Sequence, residues 1–385
     1  MIPKKSILFC LLIIFYMSNF CGMAAANETL VEPRLMVSGG YDDNIDFSEN
    51  DKIDDFGVSV RPSLVLGYGT QLLKLQVTAD IDYLMYLKED DFNRLNQWYL
   101  FDGQYYISER WSLLGDFEFK SLETIDTQLA ETGRIYDTKG LERYDGAGGI
   151  EYQITELTKI TPELRYINTI YMDSGSVDNE IILFSMPYEI TFRNQRDKLT
   201  LEPNVGYYDS DVQEAYNARF TANWERLISE KTTFSLELGP RYTRSEFKKD
   251  NKKDNQFGGV GEIILSHTGE TFSGSVDFKH NLYPDADGEL VNRSKLELNV
   301  SQYFSERFGF RFRGTGIATL KLQGDEDKVF YTELVPSLFY LTTLNSNLEL
   351  SYAYQNRIEL DEPGDPTTHR NRIYLTYNIF FPTKW

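Results

Sequence analysis

Cysteine is nearly absent from this 385-residue chain: the only two, Cys10 and Cys21, fall within its first 26 residues. If that stretch is removed on export, the mature chain has no disulfide, no zinc-thiolate site and no cysteine nucleophile. Basic residues are also scarce, with 39 Lys and Arg against 59 Asp and Glu and a formal net charge of -20. So acidic a chain is a poor partner for nucleic acid. Long apolar runs are missing too. Beyond the N-terminus none approaches the roughly 20 residues that a membrane-spanning helix needs.

The N-terminus reads as a secretory signal. Lys4 and Lys5 precede an apolar run over 7–16, and Ala24-Ala25-Ala26 offers a small-residue cleavage site before Asn27. The expected division is a cleaved signal over 1–26 and one domain over 27–385. Asn19-Phe20 before Cys21 lacks the small residues of a lipid-attachment site, so a freely exported chain is preferred to a lipoprotein. Without Lys4 and Lys5 the mature chain keeps 37 basic residues against 59 acidic.

What fills the remainder is alternation. Between Leu73 and Met85, the residues Leu73, Leu75, Val77, Ala79, Ile81, Tyr83 and Met85 share one face, and Lys74, Gln76, Thr78, Asp80 and Asp82 share the other. That is the period of two of a strand. Short polar turns recur near Gly69-Thr70, Ser108-Glu109, Thr155-Glu156, Asn194-Gln195, Ser229-Glu230, Thr268-Gly269, Ser305-Glu306 and Asn345-Ser346. The intervals of about 35 to 47 residues are one hairpin each. Nine hairpins predict an all-β fold: a transmembrane, antiparallel, up-and-down β-barrel of about 18 strands, with 16 as the alternative count. Closure matters because an open sheet edge cannot be satisfied inside lipid.

A soluble β-sandwich alternates as well, so further signals decide. The 26 Tyr and 25 Phe crowd strand ends, as in Tyr105-Tyr106, Tyr207-Tyr208, Tyr303-Phe304 and Phe380-Phe381, where membrane girdles lie. The connections opposite the tight turns are longer and acidic, over 44–55, 125–142, 248–255, 283–290 and 361–368. Short periplasmic turns and longer outer loops have that asymmetry. The last strand carries Tyr377, Ile379 and Phe381 on one face and ends at Trp385, similar to the signal read by the barrel-assembly machinery, although Pro382 interrupts it. Pro62, Pro162, Pro187, Pro203, Pro240 and Pro336 conflict with closed ladders unless they sit at the periplasmic rim or at bulges, or some strands are shorter than drawn.

Turning the apolar faces outward leaves Asp80, Asp82, Asp116, Glu118, Arg165, Arg219, Arg241, Arg311 and Arg313 among the lumen-lining candidates. Their signs are nearly balanced. Such groups brace a wall as paired ions, or, around Arg311 and Arg313, select a solute. Catalysis has little support: His267, His280 and His369 fall at a tight turn, near an outer loop and at the start of the last strand, and Ser266-His267, although suggestive, lies at the expected periplasmic rim, with Asp277 on the strand that begins there, close to His280. No cofactor fingerprint or metal cluster is present. The acids of 42–49 and of 285–289 are expected to be solvated loop ends, with divalent bridging to lipopolysaccharide as the alternative.

The opening strand, Val37-Ser38-Gly39-Gly40-Tyr41-Asp42-Asp43-Asn44-Ile45, followed by 60–68, VRPSLVLGY, resembles the porin-like outer-membrane β-barrels associated with exopolysaccharide and PEP-CTERM sorting systems. The resemblance implies a barrel of the Gram-negative outer membrane, a conduit for saccharide or polysaccharide, and no catalytic residues. In strand count the chain is also similar to the alginate-export and saccharide porins, but its balanced lumen departs from a cationic one. The expected function is a porin-like channel. The alternatives are a non-conducting structural barrel and, third, an embedded hydrolase. Expected partners are outer-membrane lipid, lipopolysaccharide, the barrel-assembly machinery and polysaccharide.

Overall fold

The computed structural model describes residues 28–122, 124–135, 140–172, 175–249, 252–322, 328–360, 366–381 and 383–384. The signal expected over 1–26, Pro382 and Trp385 lie outside the described residues. The strands are β1 (Glu28–Asp42), β2 (Asp55–Gly69), β3 (Leu73–Tyr86), β4 (Arg94–Tyr106), β5 (Trp111–Leu122) and β6 (Leu141–Thr155). Next come β7 (Thr158–Ile160 and Glu163–Tyr171), β8 (Asn179–Ser185 and Tyr188–Thr191), β9 (Asp197–Ser210), β10 (Gln213–Ser229), β11 (Thr232–Phe247) and β12 (Lys252–Thr268). The last are β13 (Phe272–Pro284), β14 (Leu290–Tyr303), β15 (Phe308–Lys321), β16 (Lys328–Thr343), β17 (Ser346–Leu360) and β18 (Thr367–Phe380 and Thr383–Lys384). One helix, α1 (Thr124–Glu131), lies between β5 and β6.

These eighteen strands pair antiparallel with their sequence neighbours, and the ring closes where β1 meets β18, from Arg34–Phe380 to Asp42–Arg372. All eight tight turns expected from the sequence fall at one end, together with Glu28 and Phe381. The strand ends that flank the five expected loops lie at the opposite end, as do 87–93, 211–212 and the strand ends Tyr171, Asn179, Lys321 and Lys328. Outward residues form an apolar belt: Leu113, Phe117, Ile150, Leu164, Phe220 and Leu238 are each more than 40% exposed. A soluble protein does not tolerate so large a contiguous apolar surface, but lipid does. The chain is a closed β-barrel of the outer membrane.

The prolines act as interruptions of the wall rather than as rim residues. β7 breaks at Pro162 and β8 at Pro187. The ladders skip Pro62 between β2 and β3, Pro240 between β10 and β11, and Pro336 between β16 and β17. Lacking an N–H, each proline removes one rung, and the neighbouring rungs hold the strand in place.

One ladder is truncated. β12 and β13 pair from Thr268–Ser273 only as far as Gly261–His280, although β12 continues to Lys252 and β13 to Pro284. There the β13–β14 tip leaves the wall and tucks inward, where Leu282 and Leu290 pack against Tyr208 and Ala215. Leu290 N donates to Gln213 Oε1 (2.7 Å), Ser210 Oγ donates to Gly288 O (2.6 Å) and Val177 N donates to Ala286 O (2.7 Å). Gly288 has φ +82°, a conformation in which glycine carries no Cβ penalty, and the turn depends on it.

Candidate functional site

The core of this barrel lies in its lumen, at the long-loop end. After β5 the chain folds inward over 124–135 and forms α1, whose Ile125 and Leu129 are four residues apart and therefore share a face. Both are buried in a cluster with Phe47, Ile317 and Tyr331. Gly133 ends the helix at φ +74°, its N–H donating to Gln128 O (3.2 Å) and Leu129 O (3.0 Å). A Cβ there would stand 2.8 Å from Tyr331 Cβ, so glycine also lets the loop lie against β16.

Ionic clamps fix this plug. Asp126 accepts from Arg370 Nη1 (2.9 Å) and Arg94 Nη1 (3.1 Å), with Arg372 Nη1 at 3.5 Å. Arg370 also grips Asp42 through Nε (2.8 Å) and Nη2. Glu131 takes a bidentate pair from Arg143, and Arg293 Nη1 donates to Glu131 O (2.9 Å). Thr319 Oγ1 donates to Thr132 O (2.6 Å), and Arg134 Nε stands 3.5 Å from Asp285. Burial alone would raise the Asp126 carboxyl, but Arg370, Arg372 and Arg94 outweigh it and hold the group well below the usual carboxylate range. Glu131 is lowered in the same way, with Arg143 outweighing desolvation.

Of the acids expected as solvated loop ends, Glu49 is exposed, but Asp42 and Asp43 bind the seam and Asp285 and Asp287 are held at the β13–β14 tip. Asp43 accepts from Asn371 N (2.6 Å) and Nδ2 (2.7 Å), and Asn44 Nδ2 donates to Ser48 O (2.8 Å) and His369 O (3.0 Å). Asp285 is buried, and Asp287 lies 2.8 Å from Lys321 Nζ. Among the described residues no cluster of His, Cys, Asp and Glu could hold a metal ion.

Toward the tight-turn end the lumen holds a cavity of ≈ 670 Å³, lined by Ser38, Ser273, Ser275, Asn299, Ser337, Ser351, Thr376 and Asn378, with Arg61, Arg311, Arg313 and Glu349 as its charges. Arg311 Nη1 donates to Glu349 Oε2 (2.6 Å) and the guanidinium lies 4.4 Å from the Phe339 ring centroid. Arg313 has no ion pair among the described residues. Arg61 stacks on Trp98 (4.7 Å) and donates to Asp80 (3.1 Å), and Ser59 Oγ donates to Asp82 (2.5 Å).

The other charges named from the sequence are distributed around the wall. Arg165 bridges Asp145 (3.2 Å) and Asp116 (3.4 Å), and Glu118 pairs with Lys120 (2.5 Å). Arg219 lies 3.5 Å from Glu202. Arg241 stands apart from Arg311 and Arg313: it is buried and reaches Asn292 Oδ1 (3.0 Å), with no carboxylate partner among the described residues. Tyr377 and Phe381 are exposed on the lipid face and Ile379 is half-buried. The sequence reading missed the plug's cations, Arg94, Arg143, Arg293, Arg370 and Arg372, because their partners Asp126 and Glu131 sit on a connection that alternation does not turn inward; Arg143 is 12 residues from Glu131, but Arg293 and Arg370 are 162 and 244 residues from their partners.

The histidines do not assemble a triad. His280 faces Ser294 Oγ at 2.9 Å, but Asp277, three residues away, points to the other side of the strand. His267 meets Thr232 Oγ1 (2.9 Å) and His369 meets Lys52 Nζ (2.9 Å).

No protein-family model matches the chain. No curated protein matches it. Similar solved structures include the outer membrane protein OpdK from Pseudomonas aeruginosa, at 10% identity, covering 91% of this chain and 99% of that chain with a TM-score of 0.49. OccK2 (OpdF) from the same organism, solved in complex with glucuronate, is 10% identical over 92% of this chain and 98% of that chain, with a TM-score of 0.48. OccAB2 of Acinetobacter baumannii is 12% identical over 92% and 98%, with a TM-score of 0.47.

Proposed function

We propose that the protein is a porin-like channel for small saccharides, constricted at its outer end by the α1 loop. The observation that carries this reading is the lumen cavity toward the tight-turn end, half of whose lining residues are Ser, Thr or Asn. Hydroxyls and amides both donate and accept, which suits a polyhydroxylated solute, while Arg61, Arg311 and Arg313 against Glu349 give the cavity a cationic lean. The cavity's size favours short saccharides over a polymer threading the pore, so a role beside a polysaccharide secretion system is the transit of its fragments or building blocks. One observation favours the second reading, a non-conducting barrel: α1 is clamped at both ends by arginines. Liposome swelling with a size series from arabinose to raffinose separates the two. Uptake that falls with sugar size supports the channel, and no uptake of any sugar by folded protein supports the structural barrel.

A further inference from the structure

The lipid-facing side of β8–β12 is not smooth. Pro203, Ala218 and Pro240 leave a hollow, and Val205, Tyr242 and Phe257 rim it, giving an apolar groove of ≈ 530 Å³. Phe257 is 85% exposed, so no protein group covers that edge. Along the loop-side margin of the groove runs a row of rings across four strands, with Tyr207 against Tyr216 (5.0 Å) and Tyr242 against Phe257 (5.1 Å). Such rows mark the level of lipid headgroups.

Directly beyond this row, the β11–β12 hairpin over 244–253, RSEFKKDNKK, carries five cations and two acids in a chain whose net charge is -20. Arg244 lies two residues beyond Tyr242 on the same outward face, about 7 Å along the strand. It is exposed and has no ion pair among the described residues, and the same holds for Lys249 at the tip. Lys248 and Lys253 are matched by Asp209 (2.7 Å) and Glu246 (3.1 Å). Free positive charge thus stands over an apolar groove on a molecule whose other outer loops are acidic.

We infer that this face binds one molecule of a phosphorylated, multiply acylated glycolipid of the outer leaflet, lipid A. An acyl chain fills the groove, its contact area setting the apolar part of the affinity. A phosphate group meets Arg244 and the hairpin lysines in charge-assisted hydrogen bonds. The inference rests on the long-loop end facing outward, not on conduction.

The test uses full-length protein folded in detergent, as judged by heat-modifiable mobility. It is titrated with lipid A, with monophosphoryl lipid A and with phosphatidylglycerol, and bound lipid is counted by native mass spectrometry. One lipid A should be retained, about tenfold more tightly than phosphatidylglycerol. Arg244→Ser combined with Lys249→Ser should weaken it about tenfold, and Ala218→Trp, which fills the groove floor, should displace it while leaving the charges intact. Arg226→Ser, an exposed cation toward the tight-turn end of the same face, should change nothing. Folded variants that bind lipid A as the wild type does, or phosphatidylglycerol bound as tightly as lipid A, would overturn the inference. Sugar uptake is unaffected by either outcome, so the channel reading stands or falls separately.

Discussion

Arg370 on the last strand and Asp126 on α1, 244 residues apart in sequence, meet at 2.9 Å between Nη1 and Oδ1. Arg370 is almost fully buried and shares its guanidinium between Asp126 and Asp42, so one side chain joins the barrel's closing seam to its plug. Removing Asp126 leaves Arg94, Arg370 and Arg372 facing one another with one carboxylate fewer. Breaking a buried pair costs about 3–5 kcal/mol, but the Asp126 side chain keeps 36% of its exposure, so about 1–3 kcal/mol is expected. Asp126→Asn should therefore speed hydrogen exchange at 124–135 while leaving the strand amides protected. Unchanged exchange there would remove Asp126 from the set of groups that hold the plug.

The same carboxyl predicts how the plug responds to pH. Its folded pKa is depressed, so the stability it contributes is present above the unfolded value and is lost only as pH falls through the folded one. Glu131 is depressed as well. Protection at 124–135, corrected for intrinsic exchange, should hold from pH 8 down to about 4.5, below which unfolded carboxylates near 4 begin to titrate. Loss of protection between pH 7 and 5 would show that another group controls docking.

The facing of the wall is tested by two adjacent positions. Val77 points to lipid and Thr78 to the lumen, as the alternation of β3 requires. Val77→Arg should sharply lower the yield of heat-modifiable protein, since Arg near the bilayer midplane costs about 2–4 kcal/mol, and Thr78→Arg should fold. Equal yields would contradict the assignment.

Packing under the cavity is tested by two glycines on one strand, β15. A Cβ on Gly309 would stand 2.4 Å from Phe339 Cζ and 2.5 Å from Gln302 O, whereas Gly316 has nothing within 4 Å. Gly309→Ala should destabilise the barrel by about 1–3 kcal/mol through overpacking, and Gly316→Ala by much less. Urea midpoints of refolding into vesicles would measure both. Matching midpoints would mean that Phe339 gives way freely.

The strand pattern was legible because a barrel wall is read two residues at a time: the eight turn sites and the outward faces follow from local alternation. The plug was not. TIDTQLAE is short and polar, and its Ile125 and Leu129 acquire meaning only beside Phe47, Ile317 and Tyr331, all distant in sequence. A usable signal existed, since Ile317, Val329 and Tyr331 are apolar at inward positions where a water-filled lumen calls for polar ones. The truncated β12–β13 ladder was likewise hidden, because pairing is tertiary; only the run Gly258-Gly259-Val260-Gly261 hinted at a weak edge. For the lumen charges, parity gave the face but not the partner, which is why Arg241, buried against Asn292, was grouped with the cavity arginines Arg311 and Arg313.

The central claim is an aqueous path narrowed by α1. Single-channel recording in planar bilayers compares the wild type with a variant in which residues 125–134 are replaced by a short Gly-Ser linker. The account predicts discrete, small-conductance openings for the wild type and a several-fold larger conductance for the variant, both reduced by added oligosaccharide. Equal conductances, or silence from both proteins when folded, would contradict it.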